Sequence, residues 1–226
     1  MRSYKYLDLI TVTFVVILFL SNFVANNKFS QIGDFAFGSG IIFFPVSYLL
    51  GDVLTEVYGY SKYRRVIWIG FSVLLIATIF IQAILLLPPA KDWPNQLAYE
   101  TVFSNAPRTV ISSILAFWCG EFSNSFILAK MKILTSGKYL WTRTIGSTII
   151  GEGVDTLIFY PLAFGGLLAF PWHLIFKVMI ANYTLKVLWE VIATPLTYKV
   201  VAFLKKKENE DYFDHKTNFS PFKLEP

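Results

Sequence analysis

Apolar residues fall into six long runs, at 7–25, 41–58, 66–87, 109–129, 144–169 and 174–204. Each is close to the roughly 20 residues that carry a helix across a bilayer. A polar loop with Gly33, Gly38 and Gly40 separates the first two. The second run is short and contains Pro45, Asp52 and Glu56, which predicts a kinked helix packed inside the protein. The third ends at Pro88-Pro89, where no helix can continue. The longest connection follows, through Lys91, Trp93-Pro94 and Pro107. The fifth run is expected to break near Pro161 and Gly165-Gly166, and Pro171-Trp172 turns the chain into the sixth, which is long enough to project past a bilayer. The charged tail from Lys205 is too polar to insert. The pattern predicts an all-α membrane protein: a six-helix transmembrane domain over 1–204 and a polar tail over 205–226.

Charge fixes an orientation. Arg2 and Lys5 precede the first run; Lys62, Arg64 and Arg65 follow the second; Lys130, Lys132, Lys138 and Arg143 follow the fourth; Lys205, Lys206 and Lys207 follow the sixth. The other side holds Lys28, Lys91 and Arg108, so the loops divide twelve against three. The positive-inside bias then places both termini in the cytoplasm. Of the 226 residues 55% are hydrophobic and 15% charged, against about 25% charged in a soluble domain. The net charge of +5 is no sign of nucleic-acid binding, because the basic residues sit between apolar runs and form no polar face. No small-x-small cleavage site ends the first run, and Ser21, Asn22 and Asn26 give it a polar side, so it reads as a retained helix.

Acids inside the apolar runs carry the chemistry: Asp52, Glu56, Glu121, Glu152, Asp155 and Glu190. A carboxylate at bilayer depth costs at least about 2.5–3.5 kcal/mol and is tolerated facing a partner, a cavity or a substrate. That repetition points to membrane transport. Gly51-Asp52, Gly120-Glu121 and Gly151-Glu152 share one outline, each with polar residues three and four positions on. Close helix packing accounts for the glycines, but not for the acids beside them. Asp52 and Glu56 lie one turn apart on one helix face. A second reading stands for both, an acid-bearing helix end at the cytoplasmic interface with Glu56 neutralised by Arg64 or Arg65, and it has less weight for the deeper Asp52. Lys186 and Glu190 form another i, i+4 pair, readable as an intrahelical ion pair or as cavity lining.

Other classes find no support. Walker and His-Glu-x-x-His motifs are missing, the serines lack a nearby histidine, and Cys119 is the single cysteine. No catalytic residue, cofactor or metal site is expected. A membrane scaffold whose acids only lock helices together remains the competing reading of a different kind.

The run from Phe44 through Gly51-Asp52-Val53-Leu54-Thr55-Glu56-Val57-Tyr58-Gly59 resembles the queuosine precursor transporter family, also called the vitamin uptake transporter family. The likeness continues through Ser61-Lys62-Tyr63-Arg64-Arg65, Glu121-Phe122-Ser123-Asn124, Leu140-Trp141-Thr142-Arg143-Thr144, Gly151-Glu152-Gly153-Val154-Asp155-Thr156, Lys186, Glu190, Pro195 and the tail at Thr217-Asn218-Phe219-Ser220-Pro221-Phe222. The resemblance implies an inner-membrane importer of 7-deazaguanine precursors of the tRNA base queuosine, such as the 7-cyano and 7-aminomethyl compounds. It also implies helices arranged like the substrate-binding subunits of energy-coupling-factor transporters, but working without their ATPases. An ATPase-dependent capture subunit for another vitamin-like compound is the alternative within transport. The implied partners are a small-molecule substrate and the lipid bilayer, and a homodimer is open.

The ligand chemistry suits the acids. A guanine-like base offers adjacent N–H donors that one carboxylate accepts together. Candidate substrate-binding residues are therefore Asp52, Glu56, Glu121, Glu152, Asp155 and Glu190. Asn124, Lys186 or Arg143 could donate to the 6-oxo group, and Tyr48, Phe122 and Trp189 could stack on the ring.

Overall fold

The computed structural model describes residues 4–25, 29–32, 35–38, 43–103, 107–168 and 171–223. Helix α1 (Leu7–Leu20) runs on into a wider π-helical turn at Ser21–Ala25. Within the expected loop at 26–40, strands β1 (Phe29–Ile32) and β2 (Phe35–Gly38) pair antiparallel, Phe29 opposite Gly38 and Ile32 opposite Phe35. Then come α2 (Phe44–Tyr58), α3 (Tyr60–Leu85), a short α4 (Gln96–Phe103), α5 (Pro107–Leu134), α6 (Leu140–Phe164) and α7 (Trp172–Glu208).

Several helix limits differ from those the pattern predicts, each for a local reason. Pro45 does not kink α2, because it occupies the first turn, where a missing N–H breaks no helical bond. Lys62, Arg64 and Arg65 are not a loop. Gly59, at φ 87° and ψ 162°, turns the chain within one residue, and α3 begins at Tyr60. A side chain at Gly59 would also strike the Tyr212 ring, 2.2 Å from the position of a Cβ. Helix α6 passes through Pro161 and stops at Gly165, where a Cβ would lie 2.4 Å from the Pro161 carbonyl oxygen. Helix α7 continues to Glu208 and spans about 55 Å at 1.5 Å per residue.

Helix α2 lies at the centre, packed against α1, α3, α5 and α7, and residues 51–60 are all buried. Helices α5 and α6 cross closely where Gly120 meets Gly151. A Cβ on Gly151 would lie 2.7 Å from Asn124 Cβ and 3.0 Å from the Gly120 carbonyl oxygen. The polarity is the reverse of a water-soluble protein. Asp52, Glu56, Glu121, Asn124, Arg143 and Glu152 are fully enclosed, while Val12, Ile76, Ile79, Phe80, Ile111, Leu188 and Ile192 face outward. Among the described residues, three helical stretches are long and apolar enough to cross a membrane: Tyr60–Leu85, Ile111–Leu134 and Trp172–Glu208.

The segment before α1 meets the end of α7. Glu208 accepts the backbone N–H groups of Lys5 (3.0 Å) and Tyr6 (2.6 Å), satisfying donors at the open start of α1, and also the Tyr58 hydroxyl. Beyond Glu208 the polar tail folds back as a strap over α2, α3 and α5. Asp214 is buried and accepts the Tyr60 N–H, while Arg64 Nη1 donates to the carbonyls of Asn218 and Ser220, each at 2.7 Å. Trp68 Nε1 donates to the Pro221 carbonyl, and the Phe219 ring packs on Tyr60 under the Lys130 ammonium.

Candidate substrate site between α2, α5, α6 and α7

The central acids form two groups at different levels of the bundle. In the inner group, α2 supplies Tyr48 and Asp52, α5 supplies Glu121 and Asn124, α6 supplies Glu152 and Asp155, and α7 supplies Lys186, Trp189 and Glu190. The Gly120–Gly151 crossing holds α5 and α6 close, with Asn124 packed against Gly151. Asn124 Nδ2 donates to Asp52 Oδ1 at 2.7 Å, tying α5 to α2. The Tyr63 hydroxyl of α3 donates to Glu121 Oε2 at 2.5 Å. Gly51 leaves room for that bond, since a Cβ there would lie 2.4 Å from the Tyr63 oxygen.

Lys186 bridges from α7 to α6, at 2.8 Å from Glu152 Oε2 and 3.0 Å from Asp155 Oδ2. Both ion pairs run between helices, so the intrahelical pairing with Glu190 considered from the sequence is replaced by a cross-link to α6. Four acids of this group each retain a buried oxygen without a hydrogen-bond partner, Asp52 Oδ2, Glu121 Oε1, Glu152 Oε1 and Glu190 Oε1, as does Glu56 Oε2 outside it. Pro45, Tyr48, Thr148, Glu152, Lys186, Trp189 and Glu190 enclose a cavity of about 10 Å³, room for a single water. A bicyclic base enters only if α2, α6 and α7 move apart.

The second group sits at the basic end. Glu56 Oε1 accepts Arg143 Nη2 and Lys205 Nζ, each at 2.7 Å, with Lys132 Nζ at 3.6 Å. Lys132 also reaches Asp211 Oδ1 at 2.5 Å and the Tyr212 carbonyl at 2.8 Å, and Lys205 lies 2.9 Å from Asp211. Burial pushes the Asp211 carboxyl up, but the bonds from Lys132 and Lys205 outweigh it and hold the group below the usual range. The cations at Glu56 are therefore Arg143, Lys205 and Lys132. Arg64, one of the two expected neutralising partners, binds the strap instead. Glu56 and Arg143 thus lie in the network that ties α2, α6 and α7 to the strap, apart from the cavity.

Phe122 also lies away from the cavity, in a cluster with Tyr60, Trp68 and Trp118. Tyr48 and Trp189 do line it. Three residues of the site, Thr148, Pro45 and Tyr63, were not among the candidates drawn from the sequence. Thr148 stands one turn before Glu152 on the same face, a spacing that could have found it. Pro45 stands one turn before Tyr48. Tyr63 belongs to another helix, and no spacing links it to Glu121.

A helical bundle jacketed in apolar side chains around a closed, acid-lined cavity has the character of a membrane transporter. The comparisons with known proteins agree. Residues 38–200 match the family described as "putative vitamin uptake transporter". A Bacillus subtilis (strain 168) protein named "probable queuosine precursor transporter" is 34% identical over 170 residues, 75% of this chain and 71% of that one. The "queuosine precursor transporter" of Escherichia coli (strain K12) is 24% identical over 197 residues, 84% of each chain. No solved structure matches the chain. The chain belongs to the vitamin uptake transporter family and is a transporter, not an enzyme.

Proposed function

We propose that the protein imports queuosine precursors of the 7-deazaguanine class, as a six-span inner-membrane carrier with both termini in the cytoplasm. The observation that carries the substrate reading is the set of buried carboxylate oxygens without partners on Asp52, Glu121 and Glu152, the last of which lines the small cavity. Such oxygens accept paired N–H donors, and the N1 and 2-amino groups of a guanine-like base are a matching pair. The names of the two relatives point to the same ligand class. Six spans follow if α1, α2 and α6 cross together with the three more apolar stretches. Helix α2, only 15 residues long, would cross while wrapped by its neighbours and not by lipid. The basic residues gathered at the end where Tyr4 meets Glu210 support a cytoplasmic location for that end. We also propose a helix arrangement like that of energy-coupling-factor substrate subunits.

Liposomes containing this chain alone should accumulate radiolabelled 7-cyano- or 7-aminomethyl-7-deazaguanine above protein-free liposomes, and excess unlabelled compound should compete. Binding of the ligand by purified protein, with uptake only on addition of an ATPase, would favour a capture subunit. Neither binding nor uptake would remove the substrate reading.

A further inference from the structure

We propose that Glu190 is the counter-ion for a positively charged amine on the substrate, and so the residue that favours an aminomethyl-bearing base over its uncharged relatives. This rests on the proposed substrate class and adds a subsite to it. Glu190 is 2% exposed, lines the cavity and presents Oε1 with no hydrogen bond. The charged and titratable groups around it are Tyr48 and Asp52 from α2, Glu152 from α6, and Lys186 one turn away on α7. The acids outnumber the cation, and Lys186 is held between Glu152 and Asp155. Asp52 and Glu121 each engage a neutral donor, Asn124 and Tyr63. Glu190 has no such donor among the described residues.

A buried carboxylate without a partner is unfavourable unless a proton or a cation joins it. No group of three or more potential ligands that could hold a metal ion occurs among the described residues. An organic ammonium fits the surroundings better. The cavity walls include Tyr48, whose ring already lies under the Lys186 ammonium at 5.8 Å, and Trp189, whose ring attracts a cation as it leaves water. With the base edge read by the other carboxylates, an amine on a short arm would pair with Glu190 Oε1.

The test compares three ligands of nearly equal size on purified protein by calorimetry: 7-aminomethyl-, 7-hydroxymethyl- and 7-cyano-7-deazaguanine. The unmodified protein should bind the aminomethyl compound at least about tenfold more tightly than its neutral hydroxymethyl isostere, the scale of one charged hydrogen bond. Glu190→Gln should erase that preference by weakening the aminomethyl compound at least about tenfold more than the cyano compound, and Glu190→Asp should retain the preference in part. Equal binding of the charged and neutral compounds by unmodified protein overturns the proposal, whether or not the variants fold. So does an equal loss for all three ligands in Glu190→Gln. Failure of the unmodified protein to bind any of them would instead overturn the substrate class itself.

Discussion

The partners of the inner acids determine what an amide substitution does. In Asp52, Glu121 and Glu152 one oxygen already accepts from a protein donor (Asn124, Tyr63 and Lys186, respectively) and the other is bare. An amide placed there keeps its carbonyl oxygen toward the existing donor, because the reverse orientation sets two donors face to face. Its NH₂ is thereby turned into the position of the bare oxygen, where a ligand N–H would meet a donor. Losing one charge-assisted bond in a buried site costs about 1.5–3 kcal/mol, or roughly 10- to 150-fold in affinity. Asp52→Asn, Glu121→Gln and Glu152→Gln should each fold normally, and at least one should lose ligand binding by that factor in equilibrium dialysis. Parental affinity in all three would make these acids helix locks and leave the ligand elsewhere. The acids were conspicuous in the sequence because they interrupt apolar runs. Their partners were not. Tyr63–Glu121 and Lys186–Glu152 join residues 58 and 34 positions apart, and no local periodicity encodes them.

At the scale of helices, the glycines matter as points of approach. Gly151 has Asn124 Cβ 2.7 Å from where its own Cβ would be, and Asn124 holds Asp52. Gly151→Ala must therefore push α5 from α6 and draw Asn124 away from Asp52. Overpacking of this kind costs about 1–3 kcal/mol. At Gly146 the nearest atoms are Cε and Sδ of Met131, the mobile end of a flexible side chain, 3.1 and 3.2 Å from the Cβ position. Gly151→Ala should lower the unfolding temperature in detergent and weaken ligand binding, and Gly146→Ala should do neither. Equal behaviour of the two variants would mean that the crossing can relax without disturbing the site. The repeated Gly-acid outline was readable, but its geometry was not. Gly120 and Gly151 face each other across α5 and α6, whereas Gly51 makes room for the Tyr63–Glu121 bond. The helix limits were misplaced where polar residues join a helix, as at Lys62–Arg65, because a polar stretch reads as a loop until tertiary partners cover it.

For the molecule as a whole, the apolar exterior and enclosed acids restate the sequence pattern in three dimensions, and the strap adds what the pattern concealed. Its residues look like a solvated tail, yet Asp214 is buried, Tyr60 and Arg64 bind it directly, and Lys132 joins it to the Glu56 network. Polar segments that satisfy one another's backbone groups carry no hydrophobic signature, so composition alone could not have found this. The strap also bears on orientation. It binds the start of α3 and Lys132 near the end of α5, while Glu208 and Glu210 hold Tyr4, Lys5 and Tyr6, so these segments lie at one end of the bundle. The turn carrying Ser136 follows α5 at that end, whereas Asn95 is exposed in the connection after α3. If the basic end is cytoplasmic, a single cysteine at Asn95 should react with an impermeant maleimide in intact cells. Cysteines at Ser136 and Ser3 should react only after permeabilisation, with Cys119 replaced by Ser as background. Labelling of Ser136→Cys in intact cells with Asn95→Cys protected would invert the proposed orientation, and the strap, with the Glu56 network beneath it, would then face the outside.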